Sequence, residues 1–408
     1  MKPKYSLVIP SLNGLASLRV TLPFMLSIPR SDFEIVISDN CSEDGSLDYL
    51  NSINDSRLIV VSPNKRLAHS AHLNFVYQHA SGEWVNHIGD DDVVFPDRFE
   101  KLDEITLQAE QNSCDIIIGK SIRYVWPENI YEPPNSVNSE GLFEFTDRIE
   151  IVDGRKTYHE LINTLNIPGG GETVIRRELV QKVVDQFGFI CPSDPYVEFF
   201  ALRVCSYLAR NIMKIDSPLY INGRMSKSVG NTLLANQNKF NWNFENPRRS
   251  WKYCPLDTYS YCTISLDAAL AVESLLGTNT LNRIFWGSVC TKYALGAARG
   301  TSIDNEQTPK VRLLYQCLTN YPLGFVAGVI QKVSEKIGAY IVAKVRNILL
   351  RLFFRKSANL MLLNERLISA RVFGVSNITE LADWYPKTIA NSDYDESKTL
   401  SLSRDDIG

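Results

Sequence analysis

Glu83-Trp84-Val85-Asn86-His87-Ile88-Gly89-Asp90-Asp91-Asp92 is the stretch on which the reading of the fold turns. Trp84–Ile88 reads as a short buried strand, and it runs into three consecutive carboxylates. Like charges taken out of water repel one another, so such a cluster calls for a cation or for hydrogen-bond donors. A divalent metal carrying phosphates meets that need. Two earlier strand signals lead the same way: Tyr5-Ser6-Leu7-Val8-Ile9-Pro10, and Phe33-Glu34-Ile35-Val36-Ile37, which ends at Ser38-Asp39-Asn40.

Between these strands the spacing changes to that of helices. Leu15–Leu26, Glu43–Ser52 and Leu67–Ala80 read as helices, and Leu58–Val61 as a further strand. Short apolar strands alternating with helices predict a parallel sheet covered on both faces. In such sheets ligands bind beyond the carboxyl ends of the strands. Asn13, Asp39 and Asp90–Asp92 fall at or just beyond such ends. Further along, Phe99–Gln111, Arg177–Phe187 and Tyr196–Ala209 read as helices, and Asp115–Gly119, Glu172–Ile175 and Ile212–Tyr220 as strands. The proline- and asparagine-rich stretch 123–150 reads as loops or short strands over the site, and Asn222–Gly230 as a loop that closes the first unit.

The 408 residues suffice for two or three structural units, and a formal charge of −3 argues against a general nucleic-acid binder. The cysteines lie far apart with no CxxC pair, which argues against a structural zinc site or a disulfide scaffold and fits a reducing compartment. Met1-Lys2-Pro3-Lys4 enters a strand directly, without the apolar core of a signal peptide. Leu313–Gln331 is uncharged, but its Asn and Gln residues make it costly in lipid, so no membrane span is expected there. After about residue 231 the texture becomes helical, with Ser260–Leu276, Thr280–Ala297 and Lys310–Leu318 as candidates. Ile341, Val345, Ile348 and Leu352 then recur at helix spacing in a basic segment. Two readings of that segment stand open: contact with an anionic membrane surface, or a packed helix with a solvated basic face. Its apolar side is equally suited to burial against a second copy of the chain.

Taken in order, the motifs resemble the inverting glycosyltransferases of family 2. Val8-Ile9-Pro10-Ser11-Leu12-Asn13 is similar to the family's opening strand and loop, and Ser38-Asp39-Asn40-Cys41-Ser42-Glu43-Asp44-Gly45-Ser46 to its second signature. Asn64–Asn74 with Ala80-Ser81-Gly82-Glu83-Trp84-Val85 resembles the approach to the metal motif, and Gly89–Asp97 that motif and its turn. The resemblance covers roughly residues 4–230. It implies an α/β fold of the GT-A type, a Rossmann-like mixed sheet, as a catalytic domain over 1–230. A mainly helical extension over 231–408 would serve membrane association or oligomerisation.

One departure stands out. The family often carries Asp, one residue, then Asp, whereas Gly89 occupies the first of these positions here and Asp91 the second. The resemblance therefore makes Asp91 the preferred ligand of Mn²⁺ or Mg²⁺, with Asp92 beside it and Asp90 toward the diphosphate. It gives Asp39 the nucleotide base, a carboxylate that accepts from the imide N–H of uracil or thymine; a turn or cap residue before Glu43–Ser52 is the alternative. Pro10, Ser11 and Asn13 shape the same cleft, and Arg66 is a candidate for phosphate or base. Arg224 and Lys227 are candidates for the diphosphate. Gly169, Gly170, Gly171 and Glu172 look like an acceptor-side loop. Asp194, in Cys191-Pro192-Ser193-Asp194-Pro195, resembles the general base, with Glu198 as fallback.

The function implied is transfer of a sugar, with inversion, from a UDP- or dTDP-linked donor to a saccharide or polyprenyl-linked glycan. The setting would be bacterial polysaccharide or cell-envelope synthesis, in the cytoplasm or on the cytoplasmic face of the inner membrane. A nucleotidyltransferase would carry a glycine-rich phosphate cradle with a basic residue early in the chain, which Ser11–Arg19 lacks. The carboxylates at separate strand ends argue against a non-enzymatic glycan-binding protein.

Overall fold

The structure, a computed structural model, describes residues 2–130, 132–138, 146, 148–192, 197–228, 253–256, 261–296, 308–334, 367–370 and 374–389. The chain opens with β1 (Tyr5–Ser11), α1 (Leu15–Leu26), β2 (Phe33–Asp39), α2 (Ser46–Asn51), β3 (Leu58–Val61), α3 (His69–Tyr77) and β4 (Trp84–His87). β1 lies between β2 and β4 and is parallel to both, with Ser11 opposite Asp39 and Val8 opposite His87. The carboxyl ends of three strands thus converge. Every residue of β2 is buried, as expected of a central parallel strand with helices on both faces. Glu34 is the polar exception: its carboxylate accepts from Ser6 Oγ (2.5 Å), Ser81 N (2.6 Å) and Ser81 Oγ (2.8 Å), which ties the approach to β4 to β1 and β2.

The chain continues through β5 (Val93–Val94), α4 (Arg98–Gln111), β6 (Cys114–Val125), β7 (Ser136–Asn138), β8 (Ile149–Asp153) and α5 (Gly154–Ile162). After the 3-10 turn Gly170–Glu172 come β9 (Thr173–Arg176), α6 (Arg177–Phe187), α7 (Val197–Leu208) and β10 (Asn211–Arg224). β9 is antiparallel to both β4 and β6, so the sheet is mixed. Phe99 of α4 stacks on Phe33 at 4.5 Å between ring centroids and closes the core on that face.

Two expectations are corrected here. Asn222, Gly223 and Arg224 are strand, paired with Arg123, Tyr124 and Val125 of β6, not the start of a loop. Stretch 123–150 contributes to the core as well as covering it: Tyr124, Val125 and Val137 are fully buried. The cause lies at the far end of the chain. After α8 (Tyr261–Leu276), α9 (Arg283–Gly296), α10 (Thr308–Asn320) and a helix over 322–334, here α11, the chain adds β11 (Leu367–Ser369) to β7. It then packs α12 (Ile378–Ile389) on α1, β5 and β10, with Tyr385 against Phe95 at 5.4 Å.

The chain forms two compact units. The first holds residues 1–232, 241–247 and 367–408; the second holds 233–240 and 248–366. β11 and α12 belong to the first unit. The described residues of the second unit form the helices α8–α11, and Leu313–Gln331 is interrupted at Tyr321 between α10 and α11. Among the described residues no helix is long and apolar enough to cross a membrane. The basic segment around Ile341–Leu352 lies outside the described residues.

Candidate functional site

Two loops meet at the ends of β1 and β2. Asn13, at φ 52°, donates its backbone N–H to Ser42 Oγ (2.8 Å) and accepts from Glu43 N at its side-chain oxygen (2.9 Å). Asn40 N donates to the Ser11 carbonyl (2.9 Å), and the Asn40 amide pairs with both the N–H and the C=O of Leu67. Asp39 sits at the base of this arrangement and is fully buried. Its Oδ2 accepts from Ser42 N (3.0 Å), while Oδ1 is buried without any hydrogen-bond partner. A buried carboxylate oxygen left so costs about 1–3 kcal/mol. Beneath it, His72 Nε2 lies 2.7 Å from Ser38 Oγ, and burial lowers this imidazole to about 4. The run of histidines accordingly includes a packing residue here, as helix spacing suggests.

The three carboxylates after β4 point to different partners. Asp90 Oδ2 accepts from Ser11 Oγ (2.6 Å) and lies 3.7 Å from Lys227 Nζ, which also donates to the Asn13 carbonyl (2.9 Å). Asp91 Oδ2 accepts from Ser228 Oγ (2.6 Å), and its carbonyl accepts from Trp126 Nε1 (3.1 Å). Asp92 turns into the protein: Oδ2 accepts from Gly89 N (2.7 Å), and Oδ1 from Gly223 N (2.8 Å) and Asn222 Nδ2 (3.2 Å). Gly223 has no room for a Cβ, which would collide with the Asp91 carbonyl. Burial first, then the charge of Asp90, raises the Asp91 carboxyl to about 6, and burial with Asp91 raises Asp92 well above its ordinary value. A cluster so short of compensating charge attracts a cation.

Among the described residues no group of three or more His, Cys, Asp or Glu side chains is placed to hold a metal by itself. Asp90 and Asp91 each accept from one side-chain hydroxyl, Ser11 Oγ and Ser228 Oγ, whereas Asp92 is held by two backbone N–H groups. Two carboxylates fit a Mg²⁺- or Mn²⁺-type ion whose remaining ligands are phosphate oxygens and water. Asp92 would have to give up its two backbone N–H partners to join them.

The other expected cations are already engaged. Arg66 donates to the Cys41 carbonyl (3.0 Å) and to Glu43 (3.2 Å), and Arg224 pairs with Glu132 at 3.0 Å. Pro10 lies opposite Ser38 in the β1–β2 ladder. On the other side of β4, the Asn86 amide donates to the Gly170 carbonyl (3.0 Å), and the buried Arg98 donates to Asn86 Oδ1 (2.8 Å) and to the Leu219 carbonyl (2.9 Å). Glu172 closes the Gly169–Gly171 turn: Oε2 accepts from Gly169 N (2.9 Å) and Oε1 from Ser121 Oγ (2.7 Å). The turn is built, not slack.

Asp194 lies outside the described residues, and so does the side chain of Glu198. The described residues just before Asp194 are firmly held. Asn74 Oδ1 accepts from Ile190 N (2.9 Å) and Cys191 N (3.1 Å), and its Nδ2 donates to the Cys191 carbonyl (2.7 Å). In the sequence, Asn74 is only the last residue of the Asn64–Asn74 motif. The roles of Asn74, Ser228, Asn222 and Gly223 depend on partners over a hundred residues away, and no local pattern announces them.

The model of "Glycosyl transferase family 2" matches residues 6–184. EpsE of Bacillus subtilis (strain 168) is 34% identical over 104 residues, covering 24% of this chain and 37% of EpsE, so the match spans little more than a third of that relative. S. aureus TarS 1–349, in complex with UDP-GlcNAc, superposes with a TM-score of 0.50 at 15% identity, over 79% of this chain and 81% of that one. The shared fold is of the GT-A type, with a helical region after the sheet.

Proposed function

We propose, starting from residues 6–184 as a family 2 glycosyltransferase domain, that the protein transfers a sugar with inversion from a nucleoside-diphosphate sugar to a glycan acceptor. The observation that carries this reading is the buried, partnerless Oδ1 of Asp39 at the converging strand ends, close in the fold to the carboxylates after β4. Asp39 accepts the imide N–H of a uracil or thymine base, which supplies the missing donor. Ser11 and Asn13 hold the ribose side of the cleft. Asp90 and Asp91 hold Mn²⁺ or Mg²⁺ against the diphosphate, with Asp92 anchoring their turn through Gly89 and Gly223. The metal supplies positive charge where negative charge grows on the departing nucleoside diphosphate. Lys227, bound to the Asn13 carbonyl and near Asp90, stands ready to meet the same phosphates. Arg66 and Arg224 reach them only by leaving Glu43 and Glu132.

Asp194 removes the proton from the acceptor hydroxyl as its oxygen attacks the anomeric carbon, and Asn74 fixes the chain leading to it. The turn Gly169–Glu172 lines the acceptor side. The acceptor class is a saccharide or a polyprenyl-linked glycan, and the setting is the cytoplasm or the cytoplasmic face of a membrane. That TarS, of like fold, is bound to UDP-GlcNAc favours a uridine donor.

Asp39→Asn tests the reading. Asparagine keeps the shape but presents an amide N–H toward the base. UDP affinity is expected to fall by about tenfold or more, the worth of a hydrogen bond to a charged group. CDP, whose N3 accepts, should gain relative to UDP. Calorimetry that shows unchanged UDP binding and no shift toward CDP removes Asp39 from the base site.

A further inference from the structure

The turn Gly170–Glu172 is held from two sides. β9 runs antiparallel to β4 with Val174 opposite Asn86, so the turn before β9 sits beside the residues that lead to Asp90–Asp92. Gly170 packs on His87 and Gly171 on the Tyr220 ring, each so closely that a Cβ would collide. Buried Arg98 sets both contacts. It donates to the Leu219 carbonyl (2.9 Å), in the strand that carries Tyr220, and to Asn86 Oδ1 (2.8 Å). A guanidinium only donates, so it selects the oxygen of the Asn86 amide. The amide nitrogen is thereby left to the turn, where it donates to the carbonyls of Gly170 (3.0 Å) and Thr173. Taking a guanidinium out of water is costly, and here its two bonds fix the surroundings of one short turn.

That turn carries Glu172, which is half-buried. Its carboxylate accepts one bond at each oxygen, from Gly169 N and from Ser121 Oγ. A carboxylate has about four lone-pair sites, so about two remain for other donors. The order of strands says which donors reach them. Across the sheet run β9, β4, β1 and β2. Asp39 ends β2, the Asp90–Asp92 run follows β4, and the turn precedes β9. With neighbouring strands about 4.8 Å apart, β9 lies about 14 Å from β2. A nucleoside diphosphate sugar with its base at Asp39 and its diphosphate at Asp90 and Asp91 therefore carries its sugar toward the turn.

We propose that Glu172 reads the hydroxyls of the transferred sugar, and that Asn86 and Arg98 are positioning residues that hold its turn against that sugar. The assignment rests on the base and diphosphate sites proposed above.

The test is calorimetry of the full chain in Mn²⁺ with UDP and dTDP, and with the glucose, galactose and N-acetylglucosamine derivatives of whichever binds. The wild type is expected to separate the strongest from the weakest sugar by at least about tenfold, the worth of one hydrogen bond to a charged group. In Glu172→Gln that separation should fall to about twofold or less, with the affinity for the nucleoside diphosphate unchanged. In Asn86→Asp the new carboxylate still pairs with Arg98, so the buried cation keeps a partner. It turns an oxygen, not an N–H, to the Gly170 and Thr173 carbonyls and releases the turn. The same loss of separation is expected, again with nucleotide affinity unchanged, a split that general damage to the fold does not produce. Equal binding of the three sugars by the wild type overturns the proposal. So does full separation in either folded variant, or a parallel loss of nucleotide and sugar binding in folded Asn86→Asp. A wild type that binds neither nucleoside diphosphate rejects the sites at Asp39 and Asp91 themselves, and the proposal falls with them.

Discussion

In Asp91→Asn, transfer is expected to fall at least about a hundredfold, the scale of losing one electrostatic contact to the charge that develops in the transition state. Nucleotide binding should lose most of its dependence on Mn²⁺ and Mg²⁺. Asparagine preserves the acceptor for Ser228 Oγ, so the loop over the site keeps its hold. It also removes a charge that burial and Asp90 disfavour, so the variant should unfold at no lower a temperature than the wild type. Lost metal dependence with an intact fold would separate a ligand from a structural acid. Unchanged Mn²⁺ and Mg²⁺ dependence would reject the assignment of Asp91 and send the search to Asp90.

Asp194→Asn should lower transfer by about two to four orders of magnitude, the usual contribution of a positioned general base. Donor binding should remain as in the wild type, because the residues assigned to the donor lie on the ends of β1, β2 and β4. The two variants thus predict opposite patterns: Asp91→Asn affects donor binding and transfer together, and Asp194→Asn affects transfer alone. Near-native transfer by a folded Asp194→Asn protein would move the base elsewhere, with Glu198 next to be replaced.

The central strands were legible because each is a short run whose residues all face a core. Val8, Ile35 and Val36 must be buried whichever way the sheet turns. The long strands β6 and β10 were legible only in their apolar halves. Beyond Gly119 and Tyr220 the residues turn polar, and what buries Tyr124 and Trp126 is a layer that includes Val375 and Ile378, some two hundred and fifty residues later. No local window contains that information.

The site divides in the same way. That Asp39 and the Asp90–Asp92 run end strands was readable from position alone. How three adjacent aspartates divide their partners was not, since they are the same residue type and differ only in what meets them. Gly223 and Asn222 claim Asp92, and Asp91 is met at Oδ2 by the Ser228 hydroxyl. Arg66 and Arg224 looked like unattached cations because Glu43 and Glu132 carry no sequence mark of their pairing.

The most direct measurement is calorimetry of the full chain with UDP, dTDP, GDP, CDP and their sugars, each in Mn²⁺, in Mg²⁺ and in EDTA. Binding of a uridine or thymidine diphosphate that needs the metal and weakens in EDTA is the expected result. A folded protein that binds none of the panel, or that binds equally well in EDTA, would contradict it.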